Sequence, residues 1–167
     1  VGHSIGANLM VKYLGEEGRA GTLPAAIVGG VSLANPCDIR SDQWSFPMTQ
    51  ALNVVAKKTL LQTIGRFLPT VLKTPELRSA VGKALLSFTM EHFDSAVAPI
   101  LLRNDPTAPF QNRVGYESAS DYWQDAGSFR YASDITVPLL QITSQDDFLV
   151  YHTCQEKLPF FQENPNL

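Results

Sequence analysis

The chain has 167 residues, 44% of them hydrophobic and 17% charged, with a net charge of −3. That balance supplies one domain with a real core and excludes an intrinsically disordered chain. No basic block points to a nucleic-acid partner, and no apolar run approaches the ~20 residues needed to cross a bilayer. Cys37 and Cys154 lie far apart in no metal-binding spacing. They read as free thiols, so an intracellular or membrane-associated setting is expected over a disulfide-stapled secreted one. Any membrane attachment is expected from chain preceding Val1.

Residues Gly2-His3-Ser4-Ile5-Gly6 form a Gly-x-Ser-x-Gly pentapeptide. This is the pattern of a nucleophile elbow, a tight strand-to-helix turn that holds a serine hydroxyl above the end of a sheet. The turn strains the serine backbone, and Gly2 and Gly6 are expected to lack side chains so that strand and helix can pass closely. Taken alone, the pentapeptide suits a turn without chemistry equally well. The residues after it favour the elbow. Ala7 to Leu14 reads as a helix, with Leu9, Met10, Tyr13 and Leu14 on one face and Lys12, Glu16 and Glu17 polar. Gly15 and Gly18 are expected to end it. An elbow needs a strand before it, and only Val1 precedes the pentapeptide, so the chain reads as a piece of a serine hydrolase.

Pro24 to Ala34 is a short apolar run of small and β-branched residues that does not alternate, as in a parallel strand covered on both faces. Asn35-Pro36 stops it. From about 38 to 110 the pattern turns helical: Leu52, Val55 and Leu60-Leu61 lead toward Leu68, and Leu77, Val81, Ala84 and Leu85 lead toward Phe88. Thr74-Pro75-Glu76 resembles a helix start, with Thr74 as cap. This stretch is expected to be a helical insertion between strands. Trp44, Phe46, Met48 and Phe67 are available to line a cavity there, although such residues are commonly plain core. Ser118-Ala119-Ser120-Asp121 is a capping-box-like start leading into Tyr122-Trp123. Ile135 to Thr143 reads as another buried strand, ending in Ser144-Gln145-Asp146-Asp147. Helix, strand, helical insertion, strand is an α/β pattern.

Ser4 and the pair Asp146-Asp147 both come just after strand ends, where catalytic groups gather in parallel sheets. A serine hydroxyl attacks well only when a histidine takes its proton and a carboxylate orients that imidazole. Either aspartate suits the acid role, and a solvated turn explains the pair equally well. Three histidines are present. His3 adjoins Ser4 but points away from its hydroxyl, His92 lies in the helical insertion, and His152 comes only five residues after Asp147. None has the expected placement, so the base is expected beyond Leu167. The backbone N–H of Ile5 can supply one oxyanion donor, with a second expected from chain before Val1.

The run GHSIGANLMVKYLGEEG resembles the elbow of one α/β-hydrolase branch, which includes bacterial YheT-type hydrolases, plant embryogenesis-associated esterases and animal α/β-hydrolase-domain lipases. The resemblance continues through EHFDSAVAP (Glu91 to Pro99), GYESASDYWQDA (Gly115 to Ala126) and ITVPLLQITSQDDFLV (Ile135 to Val150). It implies a partial α/β-hydrolase fold over 1–167: a mostly parallel sheet with a helical cap, lacking the N-terminal strands and the last strand. It implies esterase or lipase activity on lipid or medium-chain acyl esters, with Ser4 as nucleophile and no metal or organic cofactor. Asp147 is the implied acid, because Phe148-Leu149-Val150 resembles the stretch after the family's acid. Glu163 to Asn166 resembles the approach to the last strand. The rival expectation is an inert binding module that keeps the fold without its chemistry.

Overall fold

A computed structural model describes residues 1–40, 46–101 and 116–167, without the side chains of residues 46, 101 and 151–154. Trp44, the Phe46 side chain, Gly115 and the imidazole of His152 therefore lie outside the described residues. The chain divides into two units, Val1–Gln43 with Trp123–Leu167, and Trp44–Tyr122.

The first unit is α/β. Strands β1 (Gly2–His3), β2 (Gly30–Leu33) and β3 (Leu139–Ile142) form a parallel sheet in that order. His3 pairs with Leu33, and Leu33 with Ile142, so all three strands end level at one edge. Helix α1 (Ile5–Ala20) connects β1 to β2 and runs longer than its glycines suggest. It passes through Gly15 and Gly18 and ends at Gly21, in the left-handed conformation at φ 66°. Those two internal glycines serve close approach instead. A β-carbon on Gly15 would lie 2.3 Å from the Tyr131 carbonyl oxygen, and one on Gly18 2.0 Å from that of Asp134. The segment they meet is a 3₁₀ helix, Ser128–Asp134, laid against α1.

The buried stripe of α1 is Ala7, Asn8, Val11, Leu14 and Gly15, while Leu9 and Tyr13 of the expected apolar face are exposed. Val11 and Leu14 join Cys37, Ala132, Ile135, Leu139 and Phe161 in the core, each large apolar side chain contributing about 1.5–3 kcal/mol by leaving water. The sheet is not covered on both faces among the described residues. Leu139 is buried, but Leu140 and Ile142 alternate outward and are exposed. Helix α6 (Tyr151–Gln162) comes after β3 and a short turn. Near the C-terminus, the Asn166 carbonyl accepts the Leu139 N–H at 2.9 Å, so the chain there runs beside the start of β3.

The second unit holds α2 (Phe46–Lys73), α3 (Pro75–Leu86) and α4 (Met90–Leu101). Helix α2 breaks at Phe67 (φ −119°, ψ 18°), two residues before Pro69, which lacks the N–H of a helical hydrogen bond and crowds the preceding turn. Helix α3 starts at Pro75 as expected, but Thr74 makes no side-chain cap bond. Asn53 on α2 and Ser87 at the end of α3 exchange hydrogen bonds of 3.0 and 2.8 Å, pinning the two helices. Val55, Leu61, Leu68 and Phe88, expected on an apolar face, are exposed, as is Phe67, and the buried contacts come from Ala80, Ala84, Phe93 and Ala98. Helix α5 (Ala119–Ala126) begins as its sequence predicts, with Ser118 Oγ accepting the Asp121 N–H at 3.1 Å and donating to the Asp121 carboxylate at 2.8 Å. No helix among the described residues is long and apolar enough to cross a membrane.

Candidate active site

β1 ends at His3 and α1 begins at Ile5, so the entire change of direction falls on Ser4. Its backbone sits at φ 53°, ψ −128°, a region that residues with a β-carbon rarely enter and that costs about 1–3 kcal/mol. Backbone bonds on both sides hold it there. The Ser4 N–H donates to the Leu33 carbonyl at 2.9 Å, and the Ser4 carbonyl accepts from Ala7 and Asn8 at 2.9 and 3.2 Å. Ser4 occupies the helix cap position yet its hydroxyl makes no cap bond, so it is not spent on the helix start. The two flanking glycines differ. A β-carbon on Gly2 would meet the Ala7 Cα at 2.6 Å and the Gly6 carbonyl oxygen at 2.7 Å, so strand and helix could not close. One on Gly6 would meet nothing within 4 Å. The expectation that Gly6 must lack a side chain is not met by the described residues.

Ile5 is the first helical residue, so its N–H has no acceptor within the helix and lies at the positive end of the dipole. Asp146 and Asp147 lie in the turn after β3, at the same carboxyl edge as Ser4. With β2 between them, the strands carrying the serine and the acids stand about 10 Å apart, twice the usual interstrand spacing. The two aspartates are held differently. Asp147 Oδ1 accepts the N–H groups of Leu149 and Val150 at 2.9 and 3.0 Å, while Asp146 accepts the Ser144 hydroxyl and is exposed. Asp147 thereby caps the turn into α6 through one of its two carboxylate oxygens.

His3 and His92 are exposed, His92 on α4 of the helical unit. Among the described residues, no group of three His, Cys, Asp or Glu side chains could hold a metal ion.

Several polar residues that no motif marks are buried around the same edge. Asn8, Asn35 and Ser128 are inaccessible and joined by hydrogen bonds through their side chains and the Ser128 backbone. Asp38, in the loop leaving β2, is paired with Arg40 at 2.7 Å and with Lys157 of α6 at 3.5 Å. Burial alone would raise its carboxyl. The hydrogen bonds of Arg40 and the charges of Arg40 and Lys157 outweigh burial and hold it below the ordinary carboxylate range. The sequence did not mark Asn8, because the apolar face read there runs through Leu9, Met10 and Tyr13, and only the observed buried stripe makes the asparagine a polar residue that must be matched by partners. The Asp38 and Lys157 pairing had no signal either, since the two are distant in the chain.

The chain is similar to known proteins at low identity. It is 28% identical over 155 residues to a monoacylglycerol lipase of Saccharomyces cerevisiae, covering 90% of this chain and 31% of that protein. It is 27% identical over 159 residues to the medium-chain fatty acid ethyl ester synthase/esterase 2 of the same yeast, covering 90% and 34%. The chain thus spans about a third of the length of these curated relatives. No family model and no solved structure matches it. A parallel α/β sheet together with relatives named as a lipase and an esterase supports the α/β-hydrolase superfamily, without distinguishing a branch within it.

Proposed function

We propose that this chain carries the nucleophile and the acid of a serine-dependent carboxylic ester hydrolase. The backbone of Ser4 carries the reading. A non-glycine residue at φ 53°, between a strand end and a helix start, is a strained position that a plain turn has no reason to keep. The hydroxyl it presents attacks the acyl carbonyl. A tetrahedral oxyanion then forms within reach of the Ile5 N–H. The alcohol leaves with the proton the base took from Ser4, and a water molecule releases the acid from the acyl-enzyme. An alcohol in place of water gives a new ester by the same steps, as the synthase/esterase name of one relative suggests.

Asp147 is proposed to orient the imidazole and stabilise its charged form, using the oxygen not bonded to Leu149 and Val150. The histidine is proposed to come from chain beyond Leu167. The substrates proposed are lipid or medium-chain acyl esters, the class suggested by the names of the two relatives.

The test uses the full-length protein that contains this chain, assayed on p-nitrophenyl esters of two to twelve acyl carbons. Ser4→Ala should lower kcat/KM by about 10³-fold or more, and Asp147→Asn by about 10³–10⁴-fold. A preference for medium or long acyl groups is expected. Turnover that survives Ser4→Ala would overturn Ser4 as the nucleophile, and a folded protein with no turnover at all would favour the inert binding module.

A further inference from the structure

Asn8 is an unusual residue for the buried stripe of a helix. Asparagine is a poor helix former, and an unmatched buried amide is costly. Yet Asn8 is 1% exposed, one turn after Ser4, and its own N–H donates to the Ser4 carbonyl. Both ends of its side chain are used. Nδ2 donates to the Ala126 carbonyl at 2.7 Å, and Oδ1 accepts the Ser128 N–H at 3.0 Å. The amide thus clamps the backbone on either side of Gly127. Ser128 carries the connection onward, its Oγ accepting from Asn35 Nδ2 at 3.2 Å. Asn35 directly follows Ala34, the other non-glycine residue at positive φ among those described, at 48°.

These bonds close a ring. From Ser4 it runs through the N–H···O=C bond to Leu33, along the chain to Asn35, across to Ser128, into the Asn8 amide, and back to the Ser4 carbonyl. Both strained residues of the sheet edge lie on it. Strained backbone persists only where its surroundings over-determine it, and an apolar side chain at position 8 would fill the same space without holding anything in direction. We infer that Asn8 is a positioning residue for the nucleophile, fixing the first turn of α1 so that the Ser4 hydroxyl and the Ile5 N–H keep their aim. This rests on the hydrolase reading of Ser4.

The experiment measures how fast Ser4 of the full-length protein is phosphonylated by a fluorophosphonate, separating the limiting rate from probe affinity. Each variant is assayed well below its melting temperature. Asn8→Leu should slow the limiting rate on the order of 100-fold with little change in affinity, as expected for a misaligned reacting group. Ser128→Ala, which keeps the Ser128 N–H and cuts only the link to Asn35, should slow it by about fivefold and guards against misfolding of the first variant. Asn8→Asp supplies a rescue. A protonated carboxyl has the donor and acceptor of an amide and burial raises its pKa, so the variant's rate relative to wild type should climb as pH falls from about 8 to about 5. Equal limiting rates in folded Asn8→Leu and wild type, or a pH-independent ratio for Asn8→Asp, would overturn the inference. A wild-type protein that is not labelled would instead sink the hydrolase reading itself.

Discussion

Ser4 shows how much one residue's backbone can carry. Its position in the pentapeptide was legible, because the elbow pattern comes from the geometry of a strand turning at once into a helix. Its strain suggests a separate test of stability. Ser4→Gly should raise stability by about 1 kcal/mol or more while abolishing activity, since glycine enters this region without penalty. Thermal unfolding checks it, and a lower melting temperature would contradict strain at this site. Gly2→Ala should do the opposite, because its β-carbon would meet backbone at 2.6 Å. Asp38 is a residue the sequence did not mark. Its carboxyl is held below the ordinary value, so its stabilising contribution is full above the unfolded-state pKa and is lost as pH falls through the lower folded-state one. Asp38→Asn should flatten the acid side of the stability–pH curve, measured by denaturant unfolding from neutral pH to about 2.5. An unchanged acid limb would show that the pairing with Arg40 and Lys157 adds nothing.

Elements are legible in the sequence where period and capping agree and less so where tertiary contact decides. The Ser118 cap and the Pro75 start reflect local chemistry, and both helices begin there. In the sequence Gly15 and Gly18 look like the end of helix α1, whereas they are contact points for the 3₁₀ segment at 128–134 and the helix continues to Ala20. The same contact explains the role of Lys12, which the helical pattern places on a polar face. Its ammonium donates to the Asp125 carbonyl at 2.9 Å and the Tyr131 hydroxyl at 2.8 Å, and pairs with Glu16 and Asp125. Burial opposes its charge, but these partners outweigh it and raise its pKa. The contribution is therefore full below the unfolded-state value and lost as pH rises through the higher folded-state one. Lys12→Met should cost about 1–3 kcal/mol at neutral pH, by removing the donor that Asp125 and Tyr131 share. Equilibrium unfolding would contradict the clasp if the loss stayed below a few tenths of a kcal/mol.

At the scale of the whole molecule, the α/β pattern was legible and the covering of the sheet was not. Ile135 to Thr143 reads as a buried strand, yet Leu140 and Ile142 lie bare on one face of β3. Exposed strand edges and apolar faces favour self-association. The 167-residue chain expressed alone is expected to aggregate or remain partly molten. A monomeric elution profile with one sharp unfolding transition would contradict that. The central claim is that Ser4 is an activated nucleophile. The most direct measurement treats the full-length protein with a fluorophosphonate and maps the modified residue by mass spectrometry, beside Ser4→Ala. Modification at Ser4 that disappears in the variant is the predicted result. A folded protein left unmodified, or one modified elsewhere, would contradict it.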